Sequence, residues 1–192
     1  MENISFQSRI RVVGNKTFNK CVKKTKGNFV DYPWTIADSK LAQDAITTKV
    51  YDCSVLGISD GHQVLLMHLC PTISANLNYQ AIENYVKSKI NLKNPNLQGL
   101  ILGSKNNNVN SPNSPLLFEY LKSLLEKFKI PYSEFRGGDF TNNVAYRSSK
   151  DEWLIGNNLL DIVTKDVFKT PKAFLDRVFD SYKIAKQDYV SW

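Results

Sequence analysis

Cysteine and histidine are scarce in this chain, with three of one and two of the other in 192 residues. Cys21, Cys53 and Cys70 are odd in number and widely spaced, which argues against a disulfide framework. No Cys-x-x-Cys occurs, and a zinc site would have to draw on Cys53, His68 and Cys70 with no obvious fourth ligand. No apolar run approaches the ~20 residues of a membrane helix, so no membrane span is expected. The polar stretch Met1–Ser8, followed at once by Arg9 and Arg11, has no signal-peptide core. The chain therefore reads as cytosolic, or as exported by a route that leaves no such signal. Internal repeats and low-complexity tracts are also missing.

The composition is that of a globular protein: 42% of residues are apolar and 11% aromatic. The length suits one domain with a substantial core. The formal charge of +7 is unevenly distributed, because residues 1–30 hold seven Lys/Arg against Glu2 alone. Such a segment either contacts an acidic protein, membrane surface or nucleic acid, or forms a solvated arm. We favour the arm, and expect residues 1–35 to be a basic N-terminal extension packed on or flanking the domain. A nucleic-acid surface would interleave basic residues with aromatics, whereas after Phe6 only Phe18 and Phe29 interrupt this one. Nucleic acid is not the expected partner.

Residues 36–192 are expected to form a single domain. Ile4–Val13 alternates as a strand does, and Ile36–Ile46 suits a short helix capped by Asp38 or Ser39. Thr47–Leu69 forms a hairpin with two apolar faces, Val55, Val64 and Leu66 on one and Leu56, Ile58, Leu65 and Met67 on the other. Strands of that kind belong in the middle of a layered structure. Leu77–Ile90 has the apolar spacing of a helix, and Leu97–Leu102 is a short strand followed by a polar loop over Ser104–Asn113. Ser114 caps and Pro115 opens a helix whose buried stripe is Leu116, Leu117, Tyr120, Leu121, Leu124, Leu125 and Phe128. Tyr132–Phe135, Asn143–Arg147 and Trp153–Ile155 are further strands, and Thr170-Pro171 starts an extra C-terminal helix. The fold class is α/β, a layered sandwich in which helices cover a central mixed or antiparallel sheet.

The hairpin carries the chemistry. Asp60-Gly61 between two apolar runs signals a two-residue turn. That turn places Ser59 opposite His62 and, counting back along both strands, Cys53 opposite His68 on one face. Direct cross-strand partners have Cα atoms about 4.5–5.5 Å apart. A thiol beside an imidazole is a kit for nucleophilic catalysis on an acyl carbon: amide, ester or thioester. The alternative is packing, since buried cysteine behaves as a small hydrophobe. Cys70, two residues beyond His68 on the same face, reads as packing, and His62 at the turn as solvated.

The order Thr47-x5-Cys53-x14-His68 resembles the cysteine glutamine deamidases built on the fold of the chemotaxis receptor deamidase CheD. The catalytic domains of cytotoxic necrotizing factor and Burkholderia lethal factor share that core. Leu97-Gln-Gly-Leu-Ile-Leu-Gly-Ser104 looks like CheD's strand ending in small residues. The helix Pro115–Lys129, then Ile130-Pro131 and Arg136-Gly137-Gly138, is similar to its helix, strand and Gly-Gly turn. Asn143–Ile155 would match the closing hairpin, so the resemblance spans roughly residues 45–156. Where that family has small residues before the nucleophile, this chain has Val50-Tyr51-Asp52.

The resemblance implies a CheD-like catalytic domain over 36–192 and a site of Cys53, His68 and Thr47, with Thr48 as the rival for the third place. It implies hydrolysis of a protein glutamine carboxamide to glutamate and ammonia through a thioester, with no cofactor and no metal. Transglutamination is the same chemistry with an amine in place of water. The expected partner is a protein substrate, and the chain is read as a bacterial effector or toxin, made in the bacterial cytoplasm and exported to act in a host cell. The alternatives are another cysteine hydrolase, or a non-catalytic binding protein that uses its basic N-terminal segment.

Overall fold

Two neighbouring strands with no polar face need a covering layer on each side, and that requirement organises the molecule. The computed structural model describes residues 8–23, 29–30, 40–71, 79–103, 114–136, 142–157 and 161. Its elements are β1 (Arg9–Gly14), α1 (Asn15–Val22), β2 (Lys40–Ala42), β3 (Asp44–Val50), β4 (Ser54–Ser59) and β5 (Val64–Leu69). They continue with α2 (Tyr79–Lys89), β6 (Gln98–Gly103), α3 (Ser114–Lys127), β7 (Tyr132–Arg136), β8 (Asn142–Arg147) and β9 (Glu152–Asn157). The strands form a five-stranded sheet in the order β2-β5-β4-β6-β7 and a four-stranded sheet in the order β1-β9-β8-β3. Both are mixed, because β6 runs parallel to β7 and β1 parallel to β9 while the other pairs are antiparallel.

The α/β layering expected from the sequence is present, but the single central sheet is two sheets packed face to face. Val55, Val64, Leu66, Leu100 and Leu102 of the larger sheet meet Val12, Val144, Tyr146, Trp153 and Ile155 of the smaller one. The sheets approach closely at Gly57, where a Cβ would lie 2.1 Å from the tip of the Trp153 indole. The far face of the larger sheet packs Leu56, Ile58, Leu65, Met67 and Ile101 under α2 and α3. The far face of the smaller sheet packs Val13, Ala145 and Leu154 under Phe18 and Val22 of α1. The layers thus run helix, sheet, sheet, helices. None of the described helices is long and apolar enough to cross a membrane.

Three expectations are corrected. Residues 40–46, read as part of a helix over Ile36–Ile46, belong to β2 and β3, because Ile46, Thr47, Thr48 and Val50 favour a strand and Ala45, Thr47 and Val50 supply its buried face. The described part of the segment expected to be packed on or flanking the domain is built into it: β1 pairs with β9 in the smaller sheet and α1 packs on that sheet. Of its charges Arg11 is used internally, 3.4 Å from the buried carboxylate of Glu152, which Arg147 also grips, while Arg9, Lys16, Lys20 and Lys23 are exposed. Asp161 serves the start of α1, accepting the backbone N–H of Lys16 at 3.2 Å. In α3, Leu116 is 61% exposed and Phe118 takes its place in the core. The polar loop 104–113, the Gly137-Gly138 turn and the C-terminal helix expected from Thr170 lie outside the described residues.

Candidate active site at the junction of the two sheets

Ala45 and Thr47 of β3 face the space between the sheets. Pairing between β3 and β8 then slips between Thr47 and Val50, and Lys49 adopts φ +60°. That bulge re-aims the chain, which leaves the smaller sheet after Val50, crosses over Tyr51–Cys53 and enters the larger sheet as β4. Six extended residues would carry Thr47 about 20 Å from Cys53. The bulge and crossing fold that span back, so that Thr47 and His68 meet from opposite sheets. Thr47 Oγ1 lies 2.7 Å from His68 Nδ1, and both side chains are fully buried. Thr48 occupies the alternate position on the strand and is only half-buried.

The hairpin register differs from the sequence expectation. The Asp60 carboxylate accepts the backbone N–H groups of His62 and Gln63, each at 2.9 Å, and Asp60 N–H donates to the Gln63 carbonyl at 3.2 Å. These bonds make Asp60 the first residue of the turn, and Gly61 supplies the positive φ of +88°. The turn is centred on Gly61-His62, one residue later than Asp60-Gly61, so Ser59 pairs with Val64 and Val55, not Cys53, pairs with His68. Cys53 is therefore a diagonal neighbour of His68 on the same face, a separation of about 7–8 Å between Cα atoms in a regular ladder. The paired ladder ends at Ser54–Leu69, and Cys70, just past it, lies in the same buried cluster as Cys53. His62 is exposed at the turn.

Two contacts hold the crossing segment, and neither stood out in the sequence as part of a site. Ser114 Oγ donates to the Asp52 carbonyl at 2.7 Å, tying the start of α3 to the residue before Cys53. Gly103 has φ +137°, and a Cβ there would lie 2.3 Å from the Cys53 carbonyl oxygen and 2.6 Å from the Ser54 Cα. Only glycine gives the end of β6 this closeness. The one available signal was the Gly103-Ser104 ending of a short apolar strand. Asn142 is buried opposite Val50 and accepts from Asn157 Nδ2 at 2.7 Å, which supports the bulge from below.

Cys53 is 5% exposed, and burial pushes its thiol well above the ordinary value. The neighbouring Cys70 thiol and then Asp52 push in the same direction. The resting group is a thiol, so it loses its proton during attack and not beforehand. Stability has a corresponding pH dependence. A raised folded pKa contributes fully below the unfolded thiol's value of about 8.5 and is lost as pH rises toward the folded value. Burial raises Tyr146 in the same sense, above its usual phenol value. The urea midpoint is expected to fall as pH rises from about 8.5, and Cys53→Ala should flatten the first part of that decline. An unchanged decline in the variant would assign it to other groups.

Among the described residues no three His, Cys, Asp or Glu side chains converge as a metal site would need. Cys21, on α1, lies on the far side of the smaller sheet. No family model matches the chain, and no curated protein matches it in sequence.

Proposed function

We propose that this chain is a protein glutamine deamidase working through a Cys53 thioester. The layered sandwich is read as CheD-like, with the basic N-terminal strand and helix added to it. The observation that carries the reading is the buried 2.7 Å contact between Thr47 and His68. A threonine hydroxyl on Nδ1 fixes the imidazole plane and leaves the chemistry to Nε2.

Cys53 Sγ attacks the carboxamide carbon while His68 takes the thiol proton. The tetrahedral intermediate collapses, and the same proton leaves on ammonia. His68 then takes a proton from water, whose oxygen attacks the thioester carbon. Breakdown of the second intermediate returns the proton to Cys53 and frees the glutamate side chain. An amine entering in place of water would give a cross-link. The setting we favour is an exported bacterial effector or toxin modifying a host protein.

Burial of Cys53 is the observation that favours packing over catalysis, and one experiment separates the two. Host and bacterial protein extracts are incubated with the protein or with Cys53→Ala, and their peptides are weighed. A gain of about one mass unit at a defined glutamine, present only with the intact thiol, supports deamidation. Absence of any such site sinks it. Thr47→Val keeps the shape but removes the hydroxyl, and it should lower kcat about 10- to 100-fold with little change in KM. Thr47→Ser should recover most of that loss. Equal rates for the valine and serine variants would end the positioning role.

A further inference from the structure

The mechanism uses Cys53 and His68 but leaves Cys70 idle beside the nucleophile. Both cysteines belong to the cluster between the sheets, and both are buried, at 5% and 3% exposure. The β4–β5 pairing is unbroken from Ser59–Val64 to Ser54–Leu69, and Cys53 and Cys70 are the residues that immediately flank its last pair, so the ladder continued by one step would set them opposite each other. Antiparallel pairs alternate between hydrogen-bonded and non-hydrogen-bonded types. The Asp60–Gln63 pair that closes the turn is hydrogen-bonded. Counting back along the ladder, the Cys53–Cys70 position is of the other type, where Cα atoms approach to about 4.5 Å. That lies inside the range of about 4.4–6.8 Å that a disulfide requires. The two thiols lie near enough for Cys70 to push the Cys53 thiol upward, and both sit in one buried cluster.

We propose that Cys53 and Cys70 are a redox-active dithiol that a hydroperoxide closes into a cross-strand disulfide. Cys53 loses its proton, and its sulfur attacks the peroxide O–O bond, giving a sulfenic acid and water. Cys70 sulfur then displaces the hydroxyl, which leaves as a second water with the Cys70 proton. Two thiols have lost two protons and two electrons, and hydrogen peroxide has become two waters. A dithiol reductant reverses the step by exchange. Because burial keeps the Cys53 thiol protonated, closure is slow at neutral pH and quickens as pH rises. On the deamidase reading, closure removes the nucleophile and switches the enzyme off.

The test treats the native protein with excess hydrogen peroxide near about pH 8.5, close to the ordinary thiol pKa. Remaining thiols are then alkylated in denaturant, and the intact mass and a non-reducing digest are measured. One alkyl group where the untreated protein takes three, with a further loss of about 2 Da, and a peptide joining Cys53 to Cys70 are expected, both reversed when dithiothreitol precedes alkylation. The joined peptide should persist in Cys21→Ser and vanish in Cys70→Ala. Sulfinic acid on Cys53, or alkylated thiols at both positions, would overturn the proposal. The central readout uses the unaltered protein, so a poorly folding variant does not blunt it. The two ideas also fail separately. A cross-link in a protein with no deamidase activity when reduced ends only the enzyme reading, whereas activity with no cross-link ends only the dithiol.

Discussion

Cys53→Ala should lower glutamine-to-glutamate conversion by at least about 10⁴-fold, because the acyl intermediate forms on the Cys53 sulfur. Loss of a nucleophile in comparable hydrolases costs on the order of 10⁶ in kcat, and the residual rate reflects binding and positioning alone. The structural cost is small by comparison. Removing one sulfur from a well-filled cluster costs about 1 kcal/mol or somewhat more, and it also removes the group whose ionisation weakens the fold at high pH. The variant should therefore unfold cooperatively near the wild-type midpoint at neutral pH while showing no mass gain on any glutamine. His68→Ala should match it in activity, since both proton transfers pass through that ring, but should be less stable. It leaves the Thr47 hydroxyl buried without its imidazole, a desolvation penalty of about 1–3 kcal/mol. Full activity in either variant would return the pair to core packing and make the basic N-terminal segment the better lead.

The faces of the central hairpin were legible in the sequence and its register was not, for one physical reason. Side chains alternate with a period of two, so moving the turn centre by one residue shifts every pairing by two and leaves each side chain on its own face. Val55, Val64 and Leu66 lie between the sheets and Leu56, Ile58, Leu65 and Met67 under the helices, as their pattern required. The shift came from the Asp60 carboxylate, which captures two amides and so turns an apparent Asp-Gly centre into a Gly-His one. Thr47 was approached through resemblance alone, because a bulge and a change of sheet lie between it and Cys53 and neither is encoded in apolar spacing. The N-terminal strand was visible as alternation, but nothing local shows that a strand so rich in arginine will pair with β9, more than a hundred residues away. Its ion pair with a buried Glu152 exists only once the sheet has formed.

The largest effect on stability is expected where the sheets touch. Trp153 is 1% exposed, packs at 4.9 Å between ring centroids against Tyr146, and rests its tip on Gly57. Trp153→Ala should cost about 3–5 kcal/mol, the usual figure for emptying a large aromatic site. Gly57→Ala adds a methyl where 2.1 Å is available. The strand cannot retreat, because Gly57 pairs with Leu66 on one side and Leu100 on the other. The indole has to move instead, at about 1–3 kcal/mol for overpacking. In the double variant the new methyl enters space that the indole has vacated, so the two costs should fall short of adding by about 1–2 kcal/mol. Urea unfolding of the four proteins measures that shortfall, and simple additivity would mean that the contact is not what sets the spacing of the sheets. Thr47 and His68 face each other across the same interface. A wedge at Gly57 should therefore also lengthen the contact that orients the imidazole, and Gly57→Ala should lose activity even where it remains folded.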